Sequence, residues 1–593
     1  MCGIFGYNQI NRELPTLFFD SMKSRGPDAK EFKEVGGWTL GHLRLSIIDT
    51  SSGANQPFSK GGSTITFNGE IYNYVELKEN YLKGVELITT SDTEILLELL
   101  NRYGLKILNK LNGMFAFAWH DGKTSELVLV RDRFGVKPLN WCKHNGVFYF
   151  ASELKPLISL RKENKFNPLA IKAFMEDTAT DFNSQTFVDG IFQIEPGHYM
   201  KFSNNAQIIE KWYRGTDFEF DQSIFLDYQK TIDAFEEILS DSIKIRCRSD
   251  VPVCITLSGG LDSAIIYTLM KERTTAKVTP FTFTHPGSST DESKKVAKLV
   301  AEYSDEAITV QDDPGSSVKD YREALTAMEF PIWSFSAMGY LNMYKAIHKK
   351  NFKVVLEGHG SDEQLGGYPV FVKTAAREAL VRFKLPLAFD LYRVAAETSN
   401  SNLDQGENRS RIRTVLSEIK AVTKYEIGNI TSSSRVNYLN LQSVLEDSFN
   451  YKIMPMVLRA FDRLSMSQSL ESRLPFMDFR VVEFLKKTPL ELKANGIGSK
   501  AILREILKKY KKNYIYEDKV KTGYASDLKR IFKNDEFKRD VETQIKNFGI
   551  DGFDDNKQVA LAAIQKNDIL WTDIENITKV ASIRMVQDIF EVK

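Results

Sequence analysis

Two hydrophobic periodicities divide the chain near residue 214. Up to that point short β-rich runs alternate with turns, as in "STITFNGEIYNY", "SELVLVRDRFG", "GVFYFASE" and "GHYMKF". Strand and turn spacing of this kind predicts packed antiparallel sheets. One stretch breaks the pattern: "SDTEILLELLNRYG" reads as an amphipathic helix, with Ser91 as its N-cap and Gly104 as its stop. The polar stretch "RGTDFEFDQS" reads as a linker. Beyond it, helical patterns alternate with the apolar strands "VPVCITL", "KVTPFTFTH" and "FKVVLEG", which predicts a parallel sheet covered by helices. From about residue 370 the pattern is mostly helical, and it ends in "WTDIENITKVASIRMVQDIFEV", read as terminal helices.

Composition narrows the class. At 593 residues the chain exceeds a single hydrophobic core, and roughly two to four domains are expected. A formal net charge of +1 with 42% hydrophobic residues shows no global bias toward nucleic acid or acidic membranes. No run approaches the length of a membrane-spanning helix, and the N-terminus lacks the pattern of a signal peptide. Four scattered cysteines (Cys2, Cys142, Cys247, Cys254) form neither a disulfide framework nor a CxxC site. The expected setting is a reducing cytoplasm, where Cys2 stays a free thiol.

The strongest local signal is "VPVCITLSGGLDSAIIYTLM". An apolar strand runs into Ser258-Gly259-Gly260-Leu261-Asp262-Ser263, and a helical pattern begins at once. Two glycines admit an anion close to the backbone, and the helix start adds unpaired N–H groups and the positive end of its dipole. Asp262 beside phosphates implies a bridging Mg2+. A glycine turn alone explains the glycines but not the serines and the aspartate together, and no GK[ST] follows as in a Walker A loop. The second signal is Cys2 in "MCGIFGY". Once Met1 is removed, that residue carries both a thiol and a free α-amino group, a nucleophile beside a base.

SGGLDS is the motif of the ATP pyrophosphatase (PP-loop) family, and with the N-terminal Cys-Gly-Ile-Phe-Gly the chain resembles glutamine-hydrolysing asparagine synthetases and their relatives. The resemblance runs in order through "SRGPD" (24–28), "RLSIID" (44–49), "NQPF" (55–58), "FNGEIYN" (67–73), "SDTE" (91–94), "GMFAFAWHD" (113–121), "RDRFGVKPL" (131–139) and "FASELKPL" (150–157). It continues through "GSDEQLGGY" (360–368), "DRLSMSQSLESRLPFMD" (462–478) and "KAILRE" (500–505), and so covers nearly the whole chain.

The resemblance implies a glutaminase (class II glutamine amidotransferase) domain over 1–213, an N-terminal-nucleophile-type αββα sandwich of antiparallel sheets. A linker follows at 214–228, then an ATP-dependent synthetase domain over 229–593, a doubly wound parallel α/β PP-loop fold with a helical C-terminal part. It implies that Cys2 attacks the glutamine side-chain amide and that the Asn68 side chain and the Gly69 backbone N–H hold the oxyanion. Arg44 would hold the substrate α-carboxylate and Asp92, with Glu70, the α-ammonium; Asn68 also belongs to the glutamine-binding set. In the second domain Leu257, Ser258, Gly259, Gly260, Asp262, Ser263 and Gly360 would bind ATP, and Asp262 and Asp362 would hold Mg2+. Lys500 would stabilise the transferring phosphoryl, Glu363 would organise the carboxylate and the amine, and His359 would accept a proton from ammonia.

The implied reaction takes glutamine, ATP and aspartate to asparagine, glutamate, AMP and pyrophosphate. Two rival readings stand beside it: a sibling amidotransferase acting on another carboxylate, such as a sugar uronate or a peptide end, and a member that has lost catalysis and only binds. The presence of Cys2, Asn68, Asp92, SGGLDS and Lys500 argues against the last. Two departures keep the sibling in view: Ser24 stands where the family commonly has histidine, and His359 where it commonly has an acidic residue or glutamine. Relatives imply a homodimer. Two sites on one chain imply an internal ammonia passage, which "GMFAFAW" could line as readily as it could pack a core. Arg463 and Arg473 either build or buttress the second site, and Lys508, Lys509, Lys511 and Lys512 read as a solvated basic face.

Overall fold

The computed structural model describes residues 2–203, 206–215, 218–284, 291–311, 318–399, 436–518, 531–566 and 569–593. Among the described residues twelve strands precede residue 214: β1 (Gly3–Tyr7), β2 (Ala29–Val35), β3 (Trp38–Arg44), β4 (Phe58–Lys60), β5 (Ser63–Ile71), β6 (Gly113–His120), β7 (Leu127–Arg131), β8 (Asn140–His144), β9 (Val147–Ala151), β10 (Ile191–Gln193), β11 (His198–Ser203) and β12 (Ala206–Lys211). They form two six-stranded sheets in the orders β10-β8-β9-β1-β3-β2 and β12-β11-β7-β6-β5-β4. Their pairings are antiparallel throughout.

Strand alternation decides which face each side chain takes. Ile4, Leu40 and Phe150 of the first sheet meet Ala116, Ala118 and Leu129 of the second in one core. Phe115, Phe117, Val128 and Val130 turn the other way, onto Ile95, Leu96 and Leu99 of the helix Asp92–Tyr103. On the far face of the first sheet, Phe5 and Tyr7 share a core with Ile171 and Phe174 of the helix Pro168–Asp177. The layers therefore run helix, sheet, sheet, helix, as expected. The helix Asp92–Tyr103 starts at its expected cap, where the Ser91 hydroxyl accepts from Thr93 N–H at 3.1 Å, and Gly104 follows its last residue. The "GMFAFAW" stretch is core, except that Met114 joins the apolar cluster shared with the second half.

Within the expected linker at 214–228, the described residues 218–225 pack onto the second half. Phe220 and Phe225 pack against Phe484, and Phe218 N–H donates to Glu483 at 3.0 Å. Thr216 and Asp217 of this stretch, His285 at the end of a predicted strand, and Met1 lie outside the described residues.

Among the described residues a third sheet has five strands: β13 (Val253–Leu257), β14 (Val278–Thr284), β15 (Ile308–Gln311), β16 (Val354–Leu356) and β17 (Glu471–Arg473). Their order is β15-β14-β13-β16-β17, parallel at every pairing. Val253, Ile255 and Leu257 pack on Ile265 and Leu269 on one face, while Cys254 faces the cluster of Leu325 and Leu341 on the other. Helices thus cover both faces. The helix Trp571–Phe590 folds back on the first half: Thr178 donates to Glu575 at 3.1 Å, Lys579 donates to Met175 O at 3.3 Å, and Lys593 N–H donates to Asn164 O at 2.9 Å. Among the described residues no helix is long and apolar enough to cross a membrane. Lys512 departs from the solvated face predicted for it. It is buried, paired with Glu302 and placed over the Tyr303 ring, because the chain turns inward after the helix Ala501–Lys509.

The two halves meet at a buried ionic seam. Asp462 takes Arg25 at 3.0 Å and Lys137 at 3.5 Å from the first half, and Arg463 at 3.0 Å from its own. Arg25 also pairs with Glu153 at 3.1 Å, and Arg463 with Glu329 at 3.1 Å and Ser152 O at 3.0 Å. Burial by itself would raise the Asp462 carboxyl, but Arg25, Lys137 and Arg463 together hold it well below the usual carboxylate range. Asp462→Asn should therefore destabilise the chain by about 3–5 kcal/mol, since three cations lose a shared partner. Denaturant unfolding near pH 7 should show this. The gap from wild type should narrow below about pH 4, where the unfolded aspartate takes up its proton and the depressed native carboxyl loses its advantage.

Candidate active site

Cys2, Arg44, Gly69, Glu70 and Asp92 line one pocket of about 350 Å³, together with Leu45, Ile47, Gln56 and Thr93. Cys2 stands ahead of β1, and its nitrogen donates to Asn68 Oδ1 at 3.1 Å. That bond fixes the Asn68 amide, whose Nδ2 is buried and has no acceptor among the described residues. A buried donor left unmet is costly unless a ligand completes it. Asn68-Gly69, a hairpin signal in isolation, lies inside β5 and pairs with Ala116 and Phe115 of β6. A Cβ on Gly69 would lie 2.1 Å from Met114 O, so only glycine brings the backbone this close.

Arg44 ends β3 and is held by the Ser51 carbonyl at 2.6 Å, Asn55 Oδ1 at 2.7 Å and the Asp49 carbonyl. Asp92 opens the helix Asp92–Tyr103, and its Oδ2 accepts from Ile71 N–H at 2.9 Å. Burial pushes the Asp92 carboxyl up to about 6 against the pull of that N–H. Burial, reinforced by Asp92 and Glu471, pushes Glu70 well up, and it pushes the Cys2 thiol up as well. The thiol therefore needs a base before it can act as a nucleophile.

Glu471 was not singled out from the sequence. It reaches this pocket from β17, in the other half of the molecule. Burial favours its neutral form, but Arg473 at 2.6 Å outweighs that and holds its carboxyl low. Arg473 also stands 3.2 Å from Glu70 Oε1, which places it as a buttress of the first site.

The second cluster forms where β13 ends. After Leu257 the chain turns through Ser258–Gly260 into the helix Leu261–Arg273. Ser263 Oγ accepts from Ser258 N–H at 3.1 Å and lies 3.2 Å from Ser258 Oγ, which braces the loop. Asp262 accepts from Ser361 Oγ at 2.6 Å. Lys500 Nζ lies 2.6 and 2.5 Å from the two Asp262 oxygens and 2.8 Å from Asp362 Oδ1. Burial works against its charge, but Asp262 and Asp362 outweigh burial and raise its pKa. Gly360 starts the short helix Ser361–Leu365 with φ +94°. Gly367 leaves room for the cluster: a Cβ there would lie 1.6 Å from Asp362 Oδ1 and 2.4 Å from Lys500 Cε.

His359 stacks on Phe461 beside this cluster. Glu363 accepts from Tyr368 OH at 2.8 Å and lines a cavity of about 240 Å³ with Gln442, Phe449 and Lys486, none of them from the SGGLDS loop. Two carboxylates gathered around one cation fit the demand of Mg2+, which takes one or two carboxylates and fills the rest of its shell with phosphate and water.

Comparison with known proteins finds two family matches along the chain. Residues 1–213 match the family described as Glutamine amidotransferase domain, and residues 234–565 match the one described as Asparagine synthase. Asparagine synthetase [glutamine-hydrolyzing] 1 of Bacillus subtilis (strain 168) is 30% identical over 570 residues, covering 90% of this chain and 88% of that protein. Two fungal proteins named as amidases are also similar. Amidase chyE of Penicillium rubens is 26% identical across 84% of this chain and 82% of its own length. Amidase chry2 of Gibberella zeae is 27% identical across 86% and 84%.

The pocket's charges imply a pH dependence. If Asp92 meets an α-ammonium group, as the family resemblance implies, it must be ionised to do so, and its carboxyl takes up a proton as pH falls through about 6. For glutamine hydrolysis, kcat/KM should therefore fall toward acid with a midpoint near that value, as a property of the free enzyme. Asp92→Asn should remove this limb and raise the KM for glutamine.

Proposed function

Because the chain belongs to the asparagine synthase family, we propose that it makes asparagine: Cys2 releases ammonia from glutamine, and the ammonia attacks an aspartyl-adenylate made from aspartate and ATP. The chain is a ligase that joins a glutamine amidotransferase domain to an ATP-dependent synthetase domain. We divide it at 1–213, 214–228 and 229–593, as the sequence suggested. The observation that carries the reading is Asn68, whose acceptor is engaged by the Cys2 nitrogen while its donor is buried with no acceptor among the described residues.

Removal of Met1 would turn the Cys2 nitrogen into an α-amino group held by Asn68 Oδ1. With an ordinary pKa of about 7.7–8.0, that amine can take the thiol proton as sulfur attacks the glutamine amide carbon. The oxyanion is met by Asn68 Nδ2 and the Gly69 N–H, and one such donor is worth about 10²–10³ in rate. The proton passes to the leaving ammonia, and water releases glutamate from the thioester. Ammonia leaves on the side of Glu471, where the pocket wall belongs to the second half.

In the second site the acceptor carboxylate attacks the α-phosphorus and pyrophosphate departs. Asp262 and Asp362 would hold Mg2+, which would neutralise charge on the phosphate oxygens. The loop 258–263 binds the phosphates, and Lys500, buried and cationic, supplies positive charge at the α-phosphoryl group. His359 accepts a proton from the attacking ammonia. A second reading, amidation of a different carboxylate, is favoured by His359 and by the relatives named as amidases.

Pyrophosphate release with ATP, Mg2+ and ammonium across a panel of carboxylates separates the two: stimulation by aspartate supports the first, and stimulation only by another acid overturns it. Cys2→Ala should abolish glutamine hydrolysis yet leave synthesis from ammonium intact, and survival of hydrolysis would refute the nucleophile. Asp262→Asn and Lys500→Met should cut acceptor-dependent pyrophosphate release by about 100-fold or more while glutamine hydrolysis persists.

A further inference from the structure

Glu357 takes no part in the reading above, yet it is buried and held from several sides. It follows β16, and its N–H donates to Arg473 O at 3.0 Å. Tyr344 OH, from the helix Ser336–Lys349, donates to its two oxygens at 2.9 Å each, and Ser472 Oγ of β17 donates to Oε2 at 2.5 Å. Oε1 faces His359 Nε2 at 3.8 Å.

The imidazole is clamped from the other side. It stacks on Phe461 with centroids 3.4 Å apart, and Tyr340 stands edge-on to both rings. Its Nδ1 makes no hydrogen bond within the described residues, and 24% of the side chain is exposed. The loop that carries it abuts the SGGLDS loop: a Cβ on Gly358 would lie 2.9 Å from Asp262 Cβ.

We infer that Glu357 is a positioning residue for His359: its carboxylate accepts Nε2–H and so leaves the Nδ1 lone pair free for the amide-forming step. Which imidazole nitrogen carries the proton is set by what the other nitrogen faces. Tyr344 and Ser472 direct donors at Glu357, so only an acceptor remains to face His359. The 3.8 Å gap exceeds a hydrogen bond, and the inference requires it to close to hydrogen-bond length in the reacting complex. In the step itself ammonia attacks the acyl carbon, a C–N bond forms, and the C–O bond to AMP breaks. One N–H proton passes to Nδ1, and the resulting imidazolium faces the Glu357 carboxylate. This rests on the reading of His359 as the base.

The test uses the full chain labelled with 15N-histidine, whose seven histidines are few enough to resolve, with His359→Gln as the assignment control. Near pH 8, above the ordinary imidazole value of about 6.5, wild-type His359 should carry its proton on Nε2. Glu357→Gln should invert this: Tyr344 and Ser472 keep its carbonyl occupied, so its NH2 turns toward Nε2 and the ring proton moves to Nδ1. With ammonium chloride and L-aspartate, amide formation should then fall about 100-fold, while ATP–pyrophosphate exchange stays within about twofold of wild type. Glu357→Asp should keep the wild-type tautomer and recover at least about a tenth of the amidation, in line with a supporting residue worth 10–100-fold. Glutamine hydrolysis, measured alongside, reports whether each variant is folded.

An unchanged tautomer in folded Glu357→Gln would overturn the inference, whichever carboxylate the enzyme accepts. A parallel fall of exchange and amidation would do so too. Inverted tautomer with normal amidation in both Glu357→Gln and His359→Gln would instead overturn the base reading beneath it.

Discussion

Everything on the catalytic side hangs on one buried carboxylate. Asp462 comes from the second half and receives Arg25 and Lys137 from the first. Arg25 in turn donates to the Cys2 carbonyl at 3.0 Å, so the seam that joins the halves also anchors Cys2, the nucleophile of the proposed reaction. A buried ion cluster of this kind adds little net stability over an apolar contact, but once built it is severe about partners and geometry. An apolar seam could slide, whereas this one sets a single register between the two sites.

The second shared element is smaller. β17 has only three residues, and their alternation points them at different sites. Glu471 and Arg473 face the pocket of Cys2, and Ser472 between them donates to Glu357 behind His359. A strand at the edge of the parallel sheet thus belongs to the walls of both chambers, and a shift along it would be felt in each.

Charge states in the pocket follow from a contest between burial and guanidinium groups. Burial and the neighbouring Asp92 and Glu471 push Glu70 up although Arg473 stands 3.2 Å away, and burial pushes Asp92 up; Glu471 is buried as deeply but has Arg473 at 2.6 Å and stays low. Three neighbouring carboxyls therefore differ in protonation at one pH. The same contest at Lys500 ends the other way: two aspartates hold its charge in a buried place.

The parts of this protein that depend on local pattern were legible in its sequence. Alternating strands before residue 214, the helix capped by Ser91, and the strand–loop–helix at SGGLDS are decided within a few residues by side-chain periodicity, capping and glycine geometry. The burial of Lys512, the pairing of Asn68-Gly69 with Ala116 and Phe115, and the passage of Glu471 into the pocket of Cys2 could not be read that way. Each depends on a neighbour far along the chain: Glu302 for Lys512, β6 for Asn68-Gly69, and the whole first domain for Glu471. Sequence alone therefore determined the elements and the inventory of chemical groups, because those arise from short-range forces. Tertiary packing decided which groups share a chamber and which carry charge there, because burial and ion pairing exist only once distant segments meet.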